Sequence, residues 1–498
     1  MNDDDRSNIR REKTAIFRDR LSTPMQMLLK HEFLDGDHTI FDYGCGRGDD
    51  LRALESQGIA ATGWDPFYLP DCNKAPAQVV NLGFVINVIE NPKERADALK
   101  SAFGLAEKLL VVTVMLDSQA QYKSVKQHTD GIVTSTRTFQ KYYSQAEIRQ
   151  YVEEQLQRQP IVVGPGCLFI FKNDADEQEF LSKRHSHRIA PEELVKWALP
   201  ADKNLRTYER NKDILEDFWR RCLSLGRLPA SDEYKKYEEL KEKVGSPKKA
   251  ISIIASDERS AALREAAKQR ESDLSVFFAL NLFERRRSIA ALSPTLQRDI
   301  KSFYGTYKAA LEVARPLLFS AGRVEELMAA CGTAAKAGLG HLEGMKSLTL
   351  SVDLLEQLPP LLRIYVGCAA QLYGDVDSAD LVKIHIGSAK LTLTRYDDFR
   401  GKAVPLMLER IKIDMRAGKV DLFEYGVEYP PHPLYQKSRF LNLRSKAFKQ
   451  QKSFDDAFSA VVNLDDFPEH GPTVAELQRL LKRKGKKISG FELIDEDG

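Results

Sequence analysis

The chain has 498 residues, 43% hydrophobic and 29% charged, a balance that predicts about two to four globular domains with ordinary cores. A formal charge of +2 singles out no polyanionic partner, and the longest apolar run, residues 109–116, is far too short to span a bilayer. The acidic start Met1-Asn2-Asp3-Asp4-Asp5 lacks an apolar signal core, and six scattered cysteines form no Cys-x-x-Cys pair, so a cytoplasmic protein without a metal cluster is expected.

A basic start at residues 10–13 leads to Thr23-Pro24, a cap and first-turn proline that open a helix. The organising stretch follows. Thr39-Ile40-Phe41-Asp42 reads as a strand, Tyr43-Gly44-Cys45-Gly46-Arg47-Gly48 as a tight turn, and Asp49-Asp50-Leu51-Arg52 as a helix start. Glycines alternate there because a Cβ would block both positive φ and close approach of a ligand. Cys45 reads as the small side chain such a turn needs. A second strand at 60–64 ends in Asp65, roughly twenty residues on, where nucleotide-binding βαβ units place a ribose-binding acid. The loop Pro66-Phe67-Tyr68-Leu69-Pro70 would lie beside ribose and base.

A dinucleotide site spells Gly-x-Gly-x-x-Gly. Here the glycines are 44, 46 and 48, and Asp49 and Asp50 would repel a pyrophosphate while suiting the helix dipole. Asp42, two residues before the first glycine, suits a cationic amino-acid moiety. The combination resembles motif I of class I S-adenosylmethionine methyltransferases.

Residues 77–90 begin as a buried strand that turns through Asn81-Leu82-Gly83 and ends before Asn91-Pro92. Pro92 opens a helix, and residues 109–114 form a further buried strand. The polar, basic and aromatic segment 130–144 precedes a helix over 145–156. It either covers the carboxyl edge of the sheet, with its aromatics stacking a base, or packs as structure. A last strand at 167–171 closes a mostly parallel, doubly wound α/β sheet. His185-Ser186-His187 read as surface residues, and 183–188 as a domain boundary. From about 190 to 345 the periodicity is helical, with a buried helix over 273–280 and cations at 285–287 that cap it or grip phosphate. Beyond 345 the types mix: a helix over 361–372, a hairpin of 381–386 and 390–396, and a capping box Thr473-Val474-Ala475-Glu476 opening a helix into the basic run 482–487. That run is either a polyanion contact or a solvated tail.

Asp42-Tyr43-Gly44-Cys45-Gly46-Arg47-Gly48-Asp49-Asp50, Gly63-Trp64-Asp65-Pro66 and residues 79–90 together resemble the DNA phosphorothioation-associated methyltransferases of bacteria. So do Thr138-Phe139-Gln140-Lys141-Tyr142-Tyr143, residues 273–280, Leu358-Pro359-Pro360-Leu361-Leu362-Arg363 and Gly374-Asp375-Val376, so the resemblance spans nearly the whole chain. It implies an N-terminal Rossmann-like class I methyltransferase domain over 36–188, after a helical lead-in over 1–35. A mainly helical region, 189–345, and a mixed α+β region, 346–498, follow. It also implies S-adenosylmethionine as cofactor, with Asp42, Tyr43, Gly44, Cys45, Gly46 and Gly48 facing its methionine part. Asp65 would accept from both ribose hydroxyls, Pro66 and Phe67 would flank the adenine, and Asn81, Leu82 and Gly83 would line the path from sulfonium to acceptor. Where the acceptor needs a base, Glu90, Tyr142 or Tyr143 would supply it. Amino-methylating DNA enzymes carry Asn/Asp-Pro-Pro-aromatic where this chain has Asn81-Leu82-Gly83-Phe84, and no Pro-Cys nucleophile for cytosine C5 appears. The expected partners are DNA, through the basic segments, and proteins of the phosphorothioation system. The competing reading is a non-enzymatic S-adenosylmethionine-binding interaction or sensing module of the same system.

Overall fold

The computed structural model describes residues 9–15, 17–18, 20–117, 126–186, 202–286, 292–426, 429–468 and 471–496. The acidic start at 1–5, His187, Arg188 and Arg287 lie outside them. Two compact units are present: one of Met1–Asp176, Cys331–Leu354 and Val366–Gly498, the other of Glu177–Ala330 and Leu355–Tyr365.

In the first unit, helix α1 (Thr23–Lys30) precedes β1 (Ile40–Tyr43), α2 (Asp49–Ser56), β2 (Ala61–Trp64), β3 (Ala77–Gly83), α3 (Pro92–Leu105) and β4 (Ala106–Thr113). The short strands β5 (Lys126–His128), β6 (Gly131–Val133) and β7 (Phe139–Gln140) follow, then α4 (Gln145–Leu156), β8 (Ile161–Gly164) and β9 (Cys167–Phe171). The main sheet runs β2-β1-β3-β4-β9-β8. Its first four strands are parallel, while β9 is antiparallel to both β4 and β8. Phe41, Val80, Leu82, Leu110, Val112, Leu168 and Ile170 form its fully buried core, as near-continuous apolar runs should in strands covered on both faces. Capping fixes the helix starts. Asn91 accepts from the N–H groups of Lys93 and Glu94, Ser144 accepts from that of Glu147, and Asp49 and Asp50 lie in the first turn of α2.

The structure changes one reading of the sequence, adds a strand, and takes one of two alternatives. Residues 81–83 do not turn: β3 stays in register with β4 up to Gly83 opposite Thr113, and Asn81 Nδ2 donates to Asp42 beneath it. The turn comes at Phe84, whose φ is +59° and whose N–H donates to Thr113 O at 2.8 Å. Strand β8, three apolar residues and a glycine and too short for a clear period, pairs with β9 through a turn at Gly166. Segment 130–144 is packed structure: β6 and β7 form a meander with β5 in which Phe139 is fully buried. Arg95 holds it by donating to Asp130 at 2.7 Å, and Asn87 by donating to Lys141 O at 2.6 Å.

The second unit is helical. Its longest helix, Asp257–Phe283, buries residues 273–280 all round, and Asp273 accepts from Arg363 at 2.8 Å. Arg286 is buried between Glu177 and Glu284, so its charge is already matched. His185 is half-buried rather than a surface residue; burial, then Arg184 and Arg363, push its imidazole down to about 3.

The first unit also holds an antiparallel sheet of β10 (His341–Glu343), β11 (Ser347–Ser351), β12 (Leu381–His385), β13 (Lys390–Tyr396), β14 (Met407–Asp414) and β15 (Lys419–Glu424), hydrogen-bonded in chain order. The hairpin expected over 381–396 is its centre. Helices Lys446–Val461 and Val474–Arg483 and the hairpin of β16 (Lys486–Ser489) with β17 (Glu492–Asp495) pack around Phe454, Phe458, Leu477 and Leu481. Thr473 and Glu476 form the expected capping box, and Lys486 of the basic run pairs with Asp495. Among the described residues, no helix is long and apolar enough to cross a membrane.

Candidate functional site

The strand order reverses between β1 and β3, and open α/β sheets bind ligands at the carboxyl ends beside such a point. A cavity of about 520 Å³ opens there, within the roughly 300–1,000 Å³ usual for small-molecule sites. One wall is the glycine turn, with φ of +84° at Gly44, +54° at Gly46 and +75° at Gly48. Gly44 is the most restricted of them. A Cβ there would stand 2.4 Å from Cγ2 of Val85, itself a wall residue.

The turn is stitched to the end of β2. Gly44 and Cys45 both donate their N–H groups to Trp64 O, at 2.7 and 3.2 Å. Asp65 adds a second stitch: Oδ2 accepts from Gly46 N–H at 3.0 Å, and Oδ1 from Phe67 and Tyr68 N–H at 2.9 Å each. A carboxylate offers about four lone-pair sites. Three are taken, so one remains for a ligand, not the pair that reading both ribose hydroxyls requires. Beside it the Phe67 side chain is 62% exposed at the cavity wall.

Facing the turn is a strap, residues 11–15 with 17 and 18, whose role the sequence does not signal beyond a few basic residues. Arg11 forks onto Glu90, Nε to Oε2 at 2.9 Å and Nη2 to Oε1 at 2.8 Å, and also reaches Glu94. Tyr68 donates its hydroxyl to Glu12 O at 2.9 Å, and Arg18 N–H donates to Asp49 Oδ2 at 2.9 Å. Lys74 closes a corner: its ammonium lies 3.5 Å from the Trp64 ring centroid and donates to the Tyr43 hydroxyl at 3.1 Å.

Behind the turn, Asp42 is buried and accepts from Asn81 Nδ2 at 2.8 Å. Burial, then repulsion from Asp50, pushes its carboxyl up to about 7. Asn81 Oδ1 has no hydrogen-bond partner, an orphaned acceptor beside the cavity wall at Gly83. Burial, followed by the charges of Asp42 and Asp65, pushes the Cys45 thiol up to about 12, so it is neutral at ordinary pH and unsuited to nucleophilic attack.

No family model and no curated protein matches the chain. Among solved structures it is similar to the sugar N-methyltransferase KedS8 from Streptoalloteichus sp. ATCC 53650, at 10% identity over 32% of this chain and 96% of that one, with a TM-score of 0.23. It is also similar to the 1,6-didemethyltoxoflavin-N1-methyltransferase of Burkholderia thailandensis, solved with 1,6-didemethyltoxoflavin and S-adenosylhomocysteine bound. That match has 12% identity over 32% of this chain and 94% of the other, with a TM-score of 0.22.

Of the residues singled out from sequence, Tyr43, Gly44, Cys45, Gly46, Asp65, Pro66, Phe67 and Gly83 come together on the cavity wall. Asp42 and Asn81 stand behind it, Gly48 caps α2, and Leu82 is fully buried in the core. The candidate bases do not converge on the cavity. Burial would raise the Glu90 carboxyl, but the Arg11 hydrogen bonds outweigh it and leave it below the usual range. Tyr143 is fully buried in the core with its hydroxyl unpartnered, and burial raises its pKa further above the ordinary tyrosine value. Tyr142, half-buried, is likewise absent from the wall.

Proposed function

We propose that this chain binds S-adenosylmethionine in the cavity above β1, β2 and β3 and transfers its methyl group, as a component of a bacterial DNA phosphorothioation system. The observation that carries the cofactor assignment is the glycine turn stitched to Asp65 at the switch point, with Gly44 held where no side chain fits. The orphaned Asn81 acceptor and the acidic pair Asp42 and Asp50 give that side of the site a polarity suited to a cationic amino-acid moiety. When bound, the cofactor supplies a methyl group activated by positively charged sulfur.

The chain's own residues bind and orient. Asp65 keeps one lone-pair site for a ribose hydroxyl, and Pro66 and Phe67 offer apolar flanks for the adenine. The backbone at 44–46 would hold the methionine portion, and Arg11, Glu12, Thr14, Ala15 and Arg18 of the strap line the same cavity. Alignment of acceptor and methyl supplies most of the rate in such a site. The link to phosphorothioation rests on the sequence resemblance.

The acceptor stays open within limits set by residues. Asn81-Leu82-Gly83 at the end of β3 argues against amino-methylation of DNA bases. The pairing of Glu90 and the burial of Tyr143 favour an acceptor that needs no strong base, and they also favour the second reading, a cofactor-binding sensing module. Calorimetry of the full chain with S-adenosylmethionine and S-adenosylhomocysteine, then label transfer to separate pools of DNA, RNA and metabolites, tests both. Binding with transfer supports the enzyme, and binding without transfer to any pool supports the sensing module. Absence of binding overturns both.

A further inference from the structure

The antiparallel sheet has two unlike faces. On one, Leu348, Leu350, Val382, Ile384, Leu391, Leu393, Ile411 and Ile413 are essentially fully buried. The register places a different set on the other: Lys383 opposite Thr392, Thr392 opposite Lys412, and Arg410 opposite Phe423. Five cations share that face. Lys383 pairs with Glu343, Lys390 with Asp414 and Lys419 with Asp421. Arg410 and Lys412, on β14, have no ion pair among the described residues, and Arg410 Nε has no hydrogen-bond partner.

The cations are close enough to oppose one another. Burial, then the charges of Arg410 and Lys390, lowers the Lys412 ammonium, with Asp421 pulling the other way. Burial, then Lys383, Lys412 and Lys390, pushes His385 down to about 4. Aromatic rings interleave with this charge. The Arg410 guanidinium stands 5.0 Å from the Phe423 ring and 5.7 Å from Tyr425, and Lys412 Nζ stands 5.2 Å from Phe423. Tyr429, 45% exposed, packs 6.1 Å from Phe423 and 5.8 Å from Tyr425.

We infer that this sheet face binds single-stranded nucleic acid, with Arg410, Lys412, Lys383 and Lys390 receiving the phosphates and Phe423 and Tyr429 stacking bases. Neighbouring cations without ion pairs repel one another and are relieved by a polyanion, and Arg410 and Lys412, alternate residues of β14 beside the edge strand β15, lie roughly 7 Å apart along it. Rings beside the cations distinguish this surface from one for an acidic peptide, because unstacked bases bring π-faces as well as charge. A duplex buries its bases and leaves Phe423 and Tyr429 nothing to stack on. The inference is independent of whether the cavity above β1 takes a cofactor, and it uses neither 285–287 nor 482–487.

Fluorescence anisotropy of a labelled mixed-sequence single strand with the full chain tests it, beside the same sequence as duplex and an acidic peptide of equal charge. The single strand should bind most tightly, with an affinity that falls steeply as salt rises. Lys412→Glu, at an exposed position, should weaken binding tenfold or more. Phe423→Ala should weaken it at least fivefold while leaving the salt slope unchanged. Lys482→Glu, in the basic run, should change it less than twofold. Arg410→Gln keeps a polar group where full reversal would strain a half-buried site, and it should weaken binding as Lys412→Glu does. Tighter binding of duplex or peptide, or equal losses in Lys412→Glu and Lys482→Glu, overturns the inference.

Discussion

Asp65→Asn is the sharpest perturbation of the site, because the structure assigns each oxygen a separate job. Asparagine can keep its Oδ1 on the N–H groups of Phe67 and Tyr68, but it then aims an NH₂ at Gly46 N–H, donor against donor. A hydrogen bond to a charged acceptor is worth roughly 1.5–3 kcal/mol. Gly46 N–H is only partly buried, so water makes good part of its loss and about 1.5 kcal/mol is expected from the glycine turn. Asp65→Ala releases all three donors, of which Phe67 N–H is exposed and readily hydrated, for roughly 3 kcal/mol in all. Where the released turn loosens in the free protein and must be re-ordered around the ligand, that cost falls on binding; since 1.4 kcal/mol is a factor of ten, both variants should then bind S-adenosylhomocysteine at least about tenfold more weakly. Asparagine is therefore no mild replacement, although it retains an acceptor. Hydrogen exchange separates the two: Asp65→Asn should speed exchange at Gly46 alone, and Asp65→Ala at Gly46, Phe67 and Tyr68. Wild-type exchange at Gly46 together with wild-type affinity in Asp65→Asn would refute the stitching argument.

Gly44→Ala should lower stability through positive φ, by about 1–2 kcal/mol, and through overlap with Val85, by about 1–3 kcal/mol. Adding Val85→Ala should remove only the second part, so a double-mutant cycle by thermal melting should show a favourable coupling above about 1 kcal/mol. Asp42 releases its proton near 3.8 when unfolded and near 7 when folded, so between these values the folded state holds a proton the unfolded state lacks. Stability from this group is present below pH 4 and is lost as pH rises through 7, at up to about 1.4 kcal/mol per unit; Asp42→Asn should flatten that part of the melting profile. Phe139→Ala should cost about 3–5 kcal/mol of stability, as for a fully buried ring, while ligand affinity per folded molecule stays unchanged in calorimetry.

The α/β order and the glycine turn were legible because each depends on local chemistry. Apolar runs, Pro92 after Asn91 and alternating glycines announce strands, a helix start and a turn without reference to the rest of the chain. Asp65 was legible by spacing, but not its division between three backbone donors, which depends on where Gly46 falls after folding. Glu90 reads as a candidate base in the sequence, but the fold brings Arg11, 79 residues earlier, onto it. Tyr143 failed in the same way, since nothing next to it in the chain states that its hydroxyl lies in the core. The second sheet was only half visible. Strands β14 and β15 mix charged and apolar residues because one face is open and polar while the other is buried, and a cross-strand pair such as Arg410 and Phe423 exists only once register is set.

The strap that begins at Arg11 has a kinetic consequence. Its main tether is Arg11 on Glu90 and Glu94, and the arginine side chain is 36% exposed, open to counterions. Acid should not release it readily, because the guanidinium stays charged and Glu90 ionises below the usual carboxylate range. Added electrolyte should, since screening at 1 M salt acts over about 3 Å. Ligand residence time in the cavity is then set by ionic strength more than by pH, and a bound molecule should escape faster in concentrated salt while the sheet beneath it stays intact.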